Sequence, residues 1–165
     1  MRLFIASPVV LYDYTALRLD FDSVLEGKWV PEGSLHMTWV FLGECAAAEP
    51  VLARLQDLTP LMSNEPLVSL GTFGRPLRIL YARSSSTALY DKAREFRRLG
   101  FEIKRFTPHA TLCRVKKIYD YKKFKALMKK YEGQELGEIR QEIALYQSIL
   151  SDKEASYTKI ASIMN

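Results

Sequence analysis

The chain has 165 residues, with 24 Lys and Arg against 19 Asp and Glu, a formal net charge of +5, two histidines and two cysteines. That length fits one domain, residues 1–165, with room for two small lobes, and the 48% hydrophobic and 26% charged content excludes a disordered chain. No apolar run approaches the roughly 18 residues of a membrane span, and Cys45 and Cys113 form neither a disulfide framework nor a zinc pattern, so a reduced, cytoplasmic protein with both thiols buried is expected.

The opening "MRLFIASPVVL" has the outline of a signal peptide, but Pro8 interrupts it, Asp13 follows and no small-residue cleavage site is present. It reads as a strand, "RLFIAS", leading into a helix from Pro8 to about Leu25, then an extended "KWV" and a turn at "PEGS". "LHMTWVFLGE" is a strand ended by Gly43, followed by a helix from Glu49 to about Met62. "EPLVSLGTF" and "LRILYA" are two strands about the turn "GRP". "SSST" supplies N-caps for a helix with Leu89, Ala93, Phe96 and Leu99 on one face, and Gly100 stops it. After "FEIKRF" comes the second histidine strand, "HATLCRV", entered through Pro108. Asp120 caps a helix with Tyr121, Phe124, Leu127, Met128 and Tyr131 on one face and five lysines on the others. "EIRQEIALYQSIL" and "ASYTKIASIM" close the chain as a hairpin about "SDKE". The second half loosely echoes the first, with one histidine strand in each.

Charge is unevenly spread. Between Lys92 and Lys130 lie fourteen Lys or Arg against three acids, a local balance of +11 that leaves −6 for the rest. Such asymmetry suits a polyanion, with nucleic acid favoured over a membrane surface because the cations are spread over several elements. The alternative is a set of solvated helix faces.

A single histidine on an apolar strand is more often structural than catalytic. Here both histidines, His36 and His109, have a threonine two residues on, and the chain has only eight threonines; chance gives that coincidence a probability of about 0.002, so the duplication is the signal. Residues two apart share a strand face, so His36 projects with Thr38 and His109 with Thr111. Two such pairs facing one cleft would offer two proton-transfer groups and two hydroxyl donors, suited to a tetrahedral anion such as phosphate. Cys113 falls on the same face by alternation, but with no nearby acid to orient a histidine a nucleophilic role is not expected. Two histidines without a carboxylate or cysteine cluster are also too few for a typical zinc site, and Met37 and Trp39 alternate into the core.

"LHMTWVFLGE" and "FTPHATLCRVKK" resemble the two signature strands of the two-histidine phosphoesterases, specifically the RNA 2′,3′-cyclic phosphodiesterases, also called 2′-5′ RNA ligases. "GRPLRILYA", the helix before "GFEIKRFTPHATLCRV" and the closing "ALYQSIL" and "YTKIASI" are similar in order and spacing, so the likeness spans essentially the whole chain. The resemblance implies an α+β fold in which two lobes of antiparallel sheet flanked by helices are related by a pseudo-twofold axis around a central catalytic cleft. It implies hydrolysis of an RNA-terminal 2′,3′-cyclic phosphate, or of a 2′,3′-cyclic nucleotide, to a 2′-phosphate; no metal or other cofactor is expected, and the chain is expected to act as a monomer. It makes His36 the acid that protonates the departing 3′ oxygen and His109 the base that activates water, with Thr38 and Thr111 on the phosphate.

Five residues after each histidine, the resemblance places Phe41 on a nucleobase and Arg114 on the phosphate. Strict alternation puts a +5 residue on the opposite strand face, so each strand must twist, bulge or end for either to reach the cleft. Thr107 stands where relatives often carry an aromatic residue, and Tyr12, Tyr14, Tyr81 and Arg83 are polar residues without an assigned role. The same residues would serve RNA ligation through a 2′-5′ linkage, and a non-catalytic RNA-binding module is the alternative outside enzyme chemistry.

Overall fold

The computed structural model describes residues 1–151 and 155–163. In chain order its elements are β1 (Arg2–Leu11), α1 (Tyr14–Phe21), β2 (Leu25–Trp29), β3 (His36–Glu44), α2 (Glu49–Leu55), β4 (Glu65–Val68), β5 (Leu70–Phe73), β6 (Ile79–Arg83), α3 (Thr87–Arg98), β7 (His109–Ile118), α4 (Tyr121–Lys130), β8 (Glu135–Ile139), β9 (Ile143–Leu150) and β10 (Ala155–Ile163). The strands form one antiparallel, curled sheet whose main path runs β10-β9-β1-β3-β7-β6-β5, with β2 added to β7 and β4 joined through β8 to β1.

The two halves of that path meet at a single bridge, Met37 opposite Ala110. On one side β3 is followed by β1 and β9, on the other β7 by β6 and β5. The two lobes and pseudo-twofold arrangement expected from sequence are therefore built around the residue that follows each histidine.

Helices back both lobes. Asp13 caps α1 by accepting from Ala16 N at 3.2 Å, and Asp120 caps α4 by accepting from Lys123 N at 3.0 Å. These two helices pack through Phe21 and Phe124, ring centroids 5.8 Å apart. The Tyr14 hydroxyl donates to Leu112 O at 3.1 Å and to Val30 O at 2.7 Å, which ties α1 to the back of β7. Behind β3, Trp39 packs on Phe96 of α3 and stacks on Phe106, with centroids 5.4 and 5.5 Å away, and its indole N–H donates to Ser7 Oγ at 2.8 Å.

Several segments differ from their sequence reading. The first strand continues through Pro8 to Leu11, and the helix starts only at Tyr14. The reason is local: along one edge β1 pairs with β9 over Arg2–Ala6 and with β8 over Val9–Leu11, so Pro8 sits at the changeover, where its missing N–H leaves no ladder bond unmade. α2 ends at Leu55 rather than near Met62, because Pro60 lies ahead and the Thr59 N–H and hydroxyl are taken by Glu95. "EPLVSLGTF" is two strands, broken at Ser69 with φ 71°, since β4 pairs with β8 and β5 with β6.

"FEIKRF" runs as an irregular segment between α3 and β7. It is held by its side chains and one carbonyl: Phe101 packs on Phe96, Phe106 on Trp39, and Ile103 O accepts from Arg97 Nε. In α4 the expected face is occupied by Phe124, while Tyr121 is exposed. β9 and β10 form the closing hairpin, with β8 a separate strand before it. Of the expected turn "SDKE", Asp152 to Glu154 lie outside the described residues.

Candidate functional site

Counting outward from the Met37–Ala110 bridge along two antiparallel strands, His36 falls across from Thr111 and Thr38 across from His109. All four side chains share one face and are half-buried, while Met37 and Ala110 are fully buried on the other. The four predicted residues thus form one cluster, with the histidines on one diagonal and the threonines on the other.

The first six residues of β3 and β7 have the same burial order: half-buried, buried, half-buried, buried, buried, exposed. Two consecutive buried residues break the alternation, and the pairing gives the cause. Along β1 the partners of Ala6 and Ile5 are Thr38 and Val40, so Trp39 is an extra residue; along β6 the partners of Tyr81 and Leu80 are Thr111 and Cys113, so Leu112 is extra. A bulge of one residue reverses the facing of everything after it. Phe41 and Arg114 are thereby returned to the histidine face, both exposed, Phe41 at 78%.

The same bulge corrects the placement of Cys113. It pairs with Leu80 and is fully buried on the core side, where burial pushes its thiol up to about 12. A thiol so placed and so weakly acidic is no nucleophile. Cys45, expected to be buried, is only half-buried at the end of β3, and both thiols are free.

Each imidazole is anchored alike. His36 Nδ1 lies 2.8 Å from Ser34 O, and His109 Nδ1 lies 2.6 Å from Thr107 O. A carbonyl only accepts, so both Nδ1 atoms carry hydrogen and donate, which leaves each Nε2 free to take or give the second proton. Thr107 contributes through its backbone carbonyl.

Aromatic rings frame both histidines. His36 lies against Phe4 at 5.3 Å and edge-on to Tyr157 at 5.1 Å, and Phe4 stacks on Tyr146 at 5.3 Å. His109 meets Phe73 at 4.9 Å and Tyr81 at 5.2 Å, which stack on each other at 4.2 Å. Gly71 makes room for that stack, because a Cβ there would stand 2.5 Å from the Tyr81 ring. Burial lowers the proton affinity of both imidazoles below the ordinary histidine value, and for His36 the nearby His109 charge lowers it further. Phe4, Phe73, Tyr146 and Tyr157 had no signal in the sequence, since they come from four different strands and their convergence depends on register.

A hollow of about 100 Å³ lined by Phe4, Ser34, His36, Tyr146 and Tyr157 adjoins one of about 340 Å³ between Lys28, Trp29 and Arg114 on one lobe and Ser156 and Tyr157 on the other. Of the polar residues left unassigned, Tyr81 touches His109, Arg83 pairs across from His109, Tyr14 is buried behind β7 and Tyr12 is exposed. Among the described residues no three His, Cys, Asp or Glu side chains are grouped to hold a metal ion, and no helix is long and apolar enough to cross a membrane.

No family model matches the chain. It is 34% identical over 163 residues to the RNA 2′,3′-cyclic phosphodiesterase of Aquifex aeolicus, covering 87% of this chain and 85% of that protein. It is 32% identical over 145 residues to the enzyme of that name from Methanocaldococcus jannaschii, covering 81% and 82%. Among solved structures, a Thermus thermophilus protein superposes with a TM-score of 0.73 at 25% identity, and Escherichia coli LigT complexed with 3′-AMP with 0.69 at 23%, each covering 98% of this chain and 96% of the other. Kinship at this identity and coverage, together with the shared fold, places the chain in the RNA 2′,3′-cyclic phosphodiesterase family of two-histidine phosphoesterases.

Proposed function

We propose that the protein hydrolyses 2′,3′-cyclic phosphates at RNA ends to 2′-phosphates, acting as a monomer and without a metal. The carrying observation is the pair of imidazoles with Nδ1 committed to a backbone carbonyl and Nε2 free, one on each side of the Met37–Ala110 bridge. His109, neutral, takes a proton from water through Nε2 as the water oxygen bonds to phosphorus. The phosphorus bond to the 3′ oxygen breaks, and protonated His36 gives that oxygen its Nε2 proton. The two histidines end with exchanged protonation and are reset through solvent.

Thr38 and Thr111 donate to the non-bridging oxygens, and Arg114 offers its planar guanidinium to the same phosphate. Phe41, exposed at 78% beside Phe4, supplies a face for the terminal base. The names of the two relatives support this substrate class.

The test is incubation in excess EDTA with 2′,3′-cyclic AMP and with a short RNA ending in a 2′,3′-cyclic phosphate. The expected product is a 2′-phosphate, with kcat lowered about 10²- to 10⁴-fold in His36→Ala and in His109→Ala. Near-wild-type turnover in both variants, or loss of all activity with EDTA, overturns the reading.

A further inference from the structure

The positive charge concentrated between Lys92 and Lys130 is only partly used at the histidine cluster, where it supplies Arg114. Much of the rest stands on α4, and α4 borders a hollow of about 500 Å³, larger than either hollow at the histidines, lined by Arg83, Lys125, Lys129, Met128, Ser69 and one acid, Glu132. Arg83 joins this hollow to the reaction site, because it is the register partner of His109 and shares the strand face that carries Tyr81. Among the described residues Arg83 and Lys129 have no ion-pair partner, and the Lys125 ammonium rests 5.5 Å over the Tyr121 ring. Ser69 holds the rim: its N–H donates to Gln134 O, its hydroxyl accepts from Gly133 N, and its carbonyl accepts from Arg83 N.

Three exposed cations against one acid, Glu132, leave the hollow with a net positive lining suited to an anion. An RNA whose cyclic end lies at the histidines carries its phosphodiesters away from that end, so its backbone must leave past one side of the cluster. Lys28 and Arg114 line the hollow on the Tyr157 side, where Arg114 is engaged with the reacting phosphate, whereas the Arg83 side offers three cations, Arg83, Lys125 and Lys129, around the larger hollow. We infer that Arg83, Lys125 and Lys129 form a subsite for backbone phosphates of the RNA upstream of the reacting end, which gives RNA an advantage over a cyclic mononucleotide. This rests on the proposal that RNA ends are the substrate.

The closing experiment compares wild type, the double variant Lys125→Ala/Lys129→Ala and a charge-matched control on α3, Arg94→Ala/Arg98→Ala. Binding of a fluorescein-labelled short RNA ending in a 2′-phosphate is followed by anisotropy at 50 and 200 mM salt, and kcat/KM is measured for the cyclic-ended RNA and for 2′,3′-cyclic AMP. Two phosphate contacts to a single strand carry a salt slope of about 1.4, so wild-type RNA binding should weaken about sevenfold more than that of the double variant over this range. The ratio of kcat/KM for RNA to that for 2′,3′-cyclic AMP should fall in the double variant and stay at the wild-type value in the control. Equal salt slopes in wild type and double variant, or the same loss in the control, overturns the subsite. Failure of wild type to turn over either substrate overturns the hydrolase reading instead, and the anisotropy arm still decides the subsite.

Discussion

Gly71→Ala tests whether the aromatic frame positions His109. The new Cβ would stand 2.5 Å from Tyr81 Cε1 and Cζ and 2.6 Å from its hydroxyl. Ordinary contact needs the ring to retreat by about 1 Å, and overpacking of this kind costs about 1–3 kcal/mol. The ring cannot swing away freely, because it is 9% exposed and stacks on Phe73 at 4.2 Å. Both rings lie edge-on to His109, at 5.2 and 4.9 Å, so their displacement reaches the imidazole. A misplacement of about 1 Å at a reacting group costs up to about 10²-fold in rate. The expected result is a Tm lowered by about 2–10 °C, with kcat for 2′,3′-cyclic AMP reduced about 10- to 100-fold and KM little changed. In a Tyr81→Leu background the same glycine substitution should cost little more. A lowered Tm with wild-type kcat would refute the positioning argument, and an unchanged Tm would refute the packing argument beneath it.

Phe41→Ala should leave Tm within about 1 °C, since the ring is 78% exposed, while KM rises about 5- to 150-fold through loss of about 1–3 kcal/mol of base stacking; steady-state kinetics and a melting curve read both. The pH profile of kcat/KM should be bell-shaped with its optimum on the acid side of the ordinary histidine value, because burial lowers both imidazoles and the reactive form needs one of them protonated. Above neutrality it should fall about tenfold per pH unit, and a flat profile from pH 5 to 9 would require other groups. The same depressed values make folding stability complete above about pH 6.5 and progressively lost as pH falls from there through the folded values, since the unfolded chain then binds more protons; His109→Ala should flatten that slope in urea melts. Lys92→Met should cost about 2–4 kcal/mol, because the buried ammonium donates to Thr59 O at 2.5 Å, Thr59 Oγ1 at 2.7 Å and Glu95 at 2.7 Å. Its kcat at low temperature should match wild type, and a Tm loss under 2 °C would show the cluster to be dispensable.

The histidines and threonines were legible because a strand repeats every two residues, and a repeated spacing survives without any knowledge of partners. The helix caps Asp13 and Asp120 are local for the same reason, although only Asp120 stands where the sequence pattern starts a helix. What escaped is pairing. The extra residues Trp39 and Leu112 look like ordinary core positions, and only the register against β1 and β6 shows that they turn Phe41 and Arg114 toward the cleft and Cys113 away from it. The continuation of β1 through Pro8 depends on a change of partner strand. The rings around the histidines come from β1, β5, β6, β9 and β10, which no window of sequence brings together.

The pseudo-twofold axis poses a question that the histidines cannot answer, because the backbone treats them alike: the same anchor at Nδ1, the same bulge three residues on and the same burial order. A symmetric pair could bind a cyclic phosphate in either sense, and only one sense puts the 3′ oxygen beside the acid. The symmetry is broken at the +5 positions, where one strand carries an aromatic face and the other a guanidinium. Because the strands run antiparallel from their shared bridge, these two side chains lie at opposite ends of the cluster. In the proposed reaction a base drawn to Phe41 and a phosphate oxygen drawn to Arg114 fix which way the ribose lies, and with it which imidazole faces the leaving oxygen. The roles of acid and base are then set by the substrate's orientation as much as by any difference between the histidines. Phe41→Ala should therefore loosen the choice between 2′- and 3′-phosphate products as well as weaken binding, which product analysis by chromatography can read. A product ratio identical to wild type would place the orienting contact elsewhere.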